Sequence, residues 1–151
     1  MSNVLKQQLS DSVKAAMRAK DSARLGTLRY LQAAVKQKEI DDRRELNDSE
    51  IVAIIEKQVK QRRESIAAYE QAGRTETAEN EKAEIVVLQE FLPQPASSAE
   101  IAAAISAALE QVGRDGVTGA PAMGKVMAIL KKELAGRADM SAVSSQVKSL
   151  L

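Results

Sequence analysis

Met123-Gly-Lys-Val-Met-Ala-Ile-Leu-Lys-Lys-Glu-Leu-Ala-Gly-Arg-Ala-Asp139, continuing to Leu151, reads as a helix, a tight turn and a second helix. Between Gly124 and Leu134 the apolar residues Val126, Met127, Leu130 and Leu134 share one face at about 100° per residue. Lys125 and Lys132 fall roughly opposite, so one side packs and the other carries charge. Gly136 can take the left-handed conformation that ends a helix, and Asp139 suits the cap of the next. The turn Gly136-Arg137-Ala138-Asp139 thus presents a guanidinium together with backbone N–H groups, a combination suited to a phosphate or carboxylate. A bare helix-turn-helix explains the same pattern without any ligand.

Upstream, Leu5, Leu9, Val13 and Met17 recur at helical spacing, and Asp21 or Ser22 caps a second helix carrying Leu25, Leu28, Leu31 and Val35. The two read as an antiparallel pair. After a charged break from Asp41 to Asp48, Asn47 and Glu50 form a capping arrangement for a long third helix. Its inward stripe is Ile51, Ile55, Val59, Ile66 and Tyr69, and Gly73 ends it. Lys57, Lys60, Arg62, Arg63 and Glu64 crowd the other face, which reads as solvated before it reads as a binding surface, and Arg74 reads as a helix-terminus charge. Tyr30 and Tyr69 read as packing residues with bonded hydroxyls. A fourth helix from about Thr77 to Leu92 is acidic at its start and apolar at its end.

Pro93-Gln-Pro95-Ala-Ser-Ser98 interrupts the helical pattern, because proline cannot continue a helix interior. The expected organisation is therefore a helical domain over 1–92, a proline-containing linker, and a three-helix tail over 96–151. Ser97 with Glu100 opens the tail's first helix, Ala99 to Val112, as a capping box. With no strand alternation anywhere, the fold class is all-α: about four helices arranged in hairpins, then the tail.

Composition narrows the chemistry. The 22 basic residues balance 21 acidic ones, which removes the argument for nucleic-acid binding by bulk charge and leaves only a local patch. Lys125, Lys131, Lys132, Arg137 and Lys148 lie in the last 27 residues against Glu133 and Asp139, so the tail can form such a patch. Without cysteine or histidine there is no thiolate nucleophile and no imidazole base or zinc ligand. The longest apolar run, Ile85 to Leu88, is too short for a bilayer, and the first residues lack a secretory apolar stretch. These features suggest a soluble cytoplasmic protein without membrane contact and without a cofactor. Gly119-Ala-Pro-Ala-Met-Gly124-Lys125-Val126 has the spacing of a nucleotide-binding P-loop, but Val126 stands where the metal-bound hydroxyl belongs, and Pro121 removes an amide.

Lys60-Gln-Arg-Arg-Glu-Ser-Ile66, Ala72-Gly-Arg74, Glu90-Phe-Leu-Pro-Gln94, Met123-Gly-Lys-Val-Met127, Gly136-Arg-Ala-Asp139 and Val147-Lys148 follow one another in this order. On these residues the chain resembles the GatB/YqeY family over nearly its whole length. From about residue 96 it is similar to the tail domain of the B subunit of the glutamine-dependent aspartyl/glutamyl-tRNA amidotransferase. The resemblance implies a helical module that grips tRNA, with amide transfer performed elsewhere in the complex. It makes Gly124, Lys125, Gly136, Arg137 and Lys148 candidate RNA-backbone contacts, and the charge clustering adds Lys132. The B subunit's kinase-like catalytic portion has no counterpart in residues 1–92, nor have the lysine and paired serines of the amidase partner.

Three readings stand at this point. The first is a non-catalytic tRNA-associated protein without catalytic, cofactor or metal residues. The second is an amidotransferase-related carbon–nitrogen ligase that takes its amide nitrogen from glutamine and acts with partners, an aminoacyl-tRNA synthetase or an amidotransferase subunit among them. The third is a helical adaptor for another protein, with Arg62, Arg63 and Arg74 as rim contacts.

Overall fold

The computed structural model describes residues 3–151. Among these residues seven helices follow one another: α1 (Val4–Ala19), α2 (Ser22–Asp42), α3 (Asp48–Gln71), α4 (Thr75–Gln89), α5 (Ser98–Arg114), α6 (Ala120–Glu133) and α7 (Met140–Leu150). The protein is all-α, with no strand among the described residues. Among the described residues no helix is long and apolar enough to cross a membrane. The chain divides into two units, the first ending at Leu92 and the second beginning at Pro93.

The local signals act where the sequence places them. Asp21 accepts from the Arg24 amide at the start of α2, and Asn47 with Glu50 forms a reciprocal capping box on α3. Gly73 turns the chain at φ +77° between α3 and α4. Two other helix ends lacked a glycine signal: Lys20 and Arg43, both at φ +56°, close α1 and α2 in the left-handed region. Their amides return to carbonyls in the preceding turn, which offsets the steric cost of a side chain there.

In the first unit the core is one aliphatic cluster from four helices: Leu9 and Val13, Leu28 and Leu31, Ile51 and Ile55, Ile85 and Leu88, closed by Leu46 and Phe91. Helices α1 and α2 are antiparallel, since Lys6 near the start of one meets Glu39 near the end of the other at 3.0 Å. Met17, expected inward, is 51% exposed. Each four-residue step overshoots a full helical turn by about 40°, so three steps from Leu5 carry Met17 about 120° round the helix. Ala16 takes the buried place instead.

Among the described residues two polar side chains are buried: Thr27, whose hydroxyl donates to the Ala23 carbonyl at 3.3 Å, and Gln58. Gln58 is 4% exposed, and its carboxamide oxygen has no hydrogen-bond partner. An unmet buried acceptor costs more than an apolar atom of the same shape. Replacing Gln58 with methionine is therefore expected to stabilise the unit by about 1 kcal/mol, raising its melting midpoint by about 4–8 °C. A lower midpoint would show that the amide nitrogen contributes more than the oxygen loses.

Candidate nucleic-acid interface

The second unit packs α5, α6 and α7 around Ile105, Ala108, Val112, Ala122, Val126, Leu130, Leu134, Val143 and Val147. Burying Val126 and Leu130 fixes the rotation of α6 and so decides what it turns outward. The outward face carries Pro121, Gly124, Lys125, Ala128, Lys131 and Lys132, all exposed. Gly124 and Ala128 run down its middle, and the lysines stand on both flanks. Glu133, although exposed, projects about 140° away from Ala128 by helical rotation and leaves this face without a carboxylate. A Cβ built on Gly124 would meet nothing within 4 Å, so this glycine leaves a shallow place open to solvent instead of receiving a neighbouring helix. Lys148 is exposed on α7.

The turn after α6 behaves differently from its sequence reading. Gly136 takes φ +73° and Asp139 caps α7 by accepting from the Ser141 amide, as their residue types suggest. Arg137, however, is committed to its own unit. Its Nε donates to the Gln94 carbonyl at 2.9 Å, its Nη2 meets Glu100, and its own carbonyl accepts from the Ala96 amide at 2.8 Å. Its backbone amide donates to Leu134. Arg137 is thus a clasp that holds residues 94–96 and the start of α5 against the α6–α7 turn. The guanidinium-and-amide notch expected around Gly136 is occupied by protein groups. Glu100 explains a second departure: Ser97 accepts from the Glu100 amide, but the carboxylate that would complete the box goes to Arg137.

Among the cations of α3, Arg62 is not solvated. Its side chain is 12% exposed, its Nε lies 3.0 Å from Glu84 and 3.9 Å from Glu81, and its guanidinium stands 5.3 Å from the Tyr30 ring centre. The signal was present in the sequence, since Arg62 lies three residues after Val59 and four before Ile66 on the inward stripe. Arg63 is exposed, and Arg74 stacks on Tyr69 at 5.7 Å. Tyr30, expected to pack, is 59% exposed.

A polar hub also escaped the sequence reading. Glu39 receives Lys6 on both oxygens at 3.0 Å and the Leu46 amide at 2.9 Å, and the Leu5 amide donates to Asp48 at 3.0 Å. The Leu46 amide, chiefly, and Lys6 hold the Glu39 carboxyl below the usual carboxylate range, while Glu39 raises Lys6. Next to it Arg44 pairs with Glu50, whose pKa falls to about 2 through that pair and the Asn47 amide. Among the described residues no cluster of acidic side chains could hold a metal ion.

These features define an all-helical protein of two units, the second of which turns a lysine-flanked helix face to solvent. The chain belongs to the YqeY-like family, whose model, described as Yqey-like protein, matches residues 6–151. It is 31% identical to "Altered inheritance of mitochondria protein 41, mitochondrial" of Pyrenophora tritici-repentis, over 99% of this chain and 82% of that protein. It is 39% identical to the protein of the same name from Eremothecium gossypii, over 64% of this chain and 54% of that protein. For the one from Lachancea thermotolerans the identity is 35%, over 69% and 57%. The matches to these last two therefore take in little more than half of their length. The names overturn the cytoplasmic location expected from the sequence, since all three relatives are called mitochondrial. An apolar stretch marks secretion, whereas organelle-targeting segments are amphipathic and basic, so its absence carried no weight for that choice.

Proposed function

We propose that the protein is a non-catalytic RNA-associated factor whose outward α6 face lies against the sugar-phosphate backbone of tRNA. The observation that carries this reading is the arrangement of Lys125, Lys131 and Lys132 around Gly124 and Ala128, free of carboxylates on that face. Small residues let a backbone approach closely, and lysines on both flanks neutralise phosphates without reading sequence. The resemblance read in the sequence between the tail and that of the amidotransferase B subunit supports tRNA as the polymer, with an amidotransferase subunit or an aminoacyl-tRNA synthetase as the protein companion. Lys148 on α7 is a further exposed cation of the same unit, while Arg137 serves the face indirectly by holding the turn. In a chain of formal net charge +1, contact confined to one helix face gives binding that weakens steeply with salt.

The test is a tRNA titration of the full chain at several salt concentrations. Lys125→Ala combined with Lys132→Ala is expected to weaken binding at low salt and to reduce the log–log salt slope by about two. An affinity and slope equal to those of the parent protein would sink the proposal.

A further inference from the structure

The chain has three aromatic side chains, Phe91, Tyr30 and Tyr69, and Phe91 is buried at 4% exposure. Tyr30 is instead 59% exposed, although burying an aromatic ring is among the larger stabilising contributions open to a small helical unit. The surroundings of this ring are built. Arg62 from α3 stands 5.3 Å from its centre and is fixed from behind by Glu84 at 3.0 Å and Glu81 at 3.9 Å on α4. Three helices thus cooperate to place one guanidinium against one solvent-facing ring. Exposed cations are next to the pair in the chain: Arg29 precedes Tyr30 and Arg63 follows Arg62.

We propose that Tyr30, backed by Arg62, is a stacking platform for an unpaired base of single-stranded RNA. An aromatic ring held by a guanidinium offers a flat surface that any base can cover, and neighbouring cations meet the flanking phosphates. Because Arg62 is already immobilised by its carboxylates, little side-chain freedom is lost when a base arrives. Glu81 and Glu84 are turned to Arg62, and the cations next to the pair in the chain, Arg29 and Arg63, are exposed. That balance favours a polyanion with bases over an apolar protein surface. The site shares its RNA partner with the α6 reading but stands on a different unit and a different force: stacking in place of charge.

The protein contains no tryptophan and two tyrosines, which supplies the probe. In the full chain carrying Tyr69→Phe, all indole and phenol emission comes from Tyr30. Titration with single-stranded oligouridylate is expected to quench that emission, and a blunt RNA duplex of equal length is expected to leave it nearly unchanged. Tyr30→Phe should keep the single-strand affinity, whereas Tyr30→Ser should lower it about 5- to 150-fold, the equivalent of about 1–3 kcal/mol for one stacked base. Because the residue is exposed, both variants should keep the parent's circular dichroism. The salt slope should stay the same in Tyr30→Ser, while it falls in the Lys125 and Lys132 variant. Those two measurements separate failure of the α6 reading from failure of this one. Equal loss in Tyr30→Phe and Tyr30→Ser, or unquenched emission at saturating oligouridylate, would overturn the stacking platform. Capture of a protein through Tyr30 with no oligouridylate binding would overturn it as well.

Discussion

Replacing Leu130 with alanine is expected to melt the second unit while the first stays folded. Leu130 is fully buried in a cluster confined to α5, α6 and α7, and truncating a buried leucine costs about 2–5 kcal/mol. A unit of this size has a total stability of roughly 3–9 kcal/mol, so one substitution removes a large share of it. The cluster contains no aromatic residue whose volume could shift to fill the void. The first unit has its own cluster, ending at Phe91, and shares no buried residue with the second. Amide resonances from α5 to α7 should therefore collapse at a temperature where those from α1 to α4 persist. The RNA binding proposed for α6 should be lost at that same temperature. Unfolding of the whole chain in one transition at the parent's midpoint would show that Leu130 does not anchor a separate core.

Glu39→Ala is expected to loosen the first unit by about 1–2 kcal/mol and to flatten its response to acid. The substitution leaves the amide of Leu46, a residue 2% exposed, without its acceptor and frees Lys6 from its partner. The sign with pH follows from the direction of the shifts. The Glu39 carboxyl is held low in the folded chain, so its stabilisation is complete above the unfolded value of about 4.3 and is lost as pH falls through the folded value. Glu50 extends that window down to about 2. Lys6, raised by the same contact, loses its share only when pH climbs through and beyond the ordinary lysine range. With no histidine in the chain, stability should be nearly level between about pH 5 and 8. Thermal midpoints measured from pH 7 down to 2 should fall less steeply in Glu39→Ala than in the parent. Parallel curves would remove Glu39 from the account of acid stability.

The helices were legible because each one carries its own instructions. Apolar residues at helical spacing, Asp21, Asn47, Ser97 and Asp139 at N-caps, and Gly73 and Gly136 at turns all act within a few residues of themselves. The ends at Lys20 and Arg43 were illegible for the same reason, since a left-handed residue that is not glycine leaves no mark in the sequence. At the candidate interface the outward direction of Lys125 and Lys132 could be read from the buried stripe opposite them. The fate of Arg137 could not. Its partners Gln94 and Glu100 lie 43 and 37 residues away, and nothing local announces them. Arg62 stood between: its place on the inward stripe was visible, but its meeting with Tyr30 and Glu84 required three helices to be packed first.

By itself the sequence determined an all-helical chain, the faces its helices bury, and a lysine-flanked side on α6, because periodicity and capping are short-range properties. Tertiary structure alone decided which charges remain available. A guanidinium is free or spent according to the carboxylates and carbonyls that folding brings within about 3 Å, and those come from residues far away along the chain. For that reason Arg137 became a clasp, Arg62 a support for Tyr30, and Lys125 and Lys132 remained at the surface.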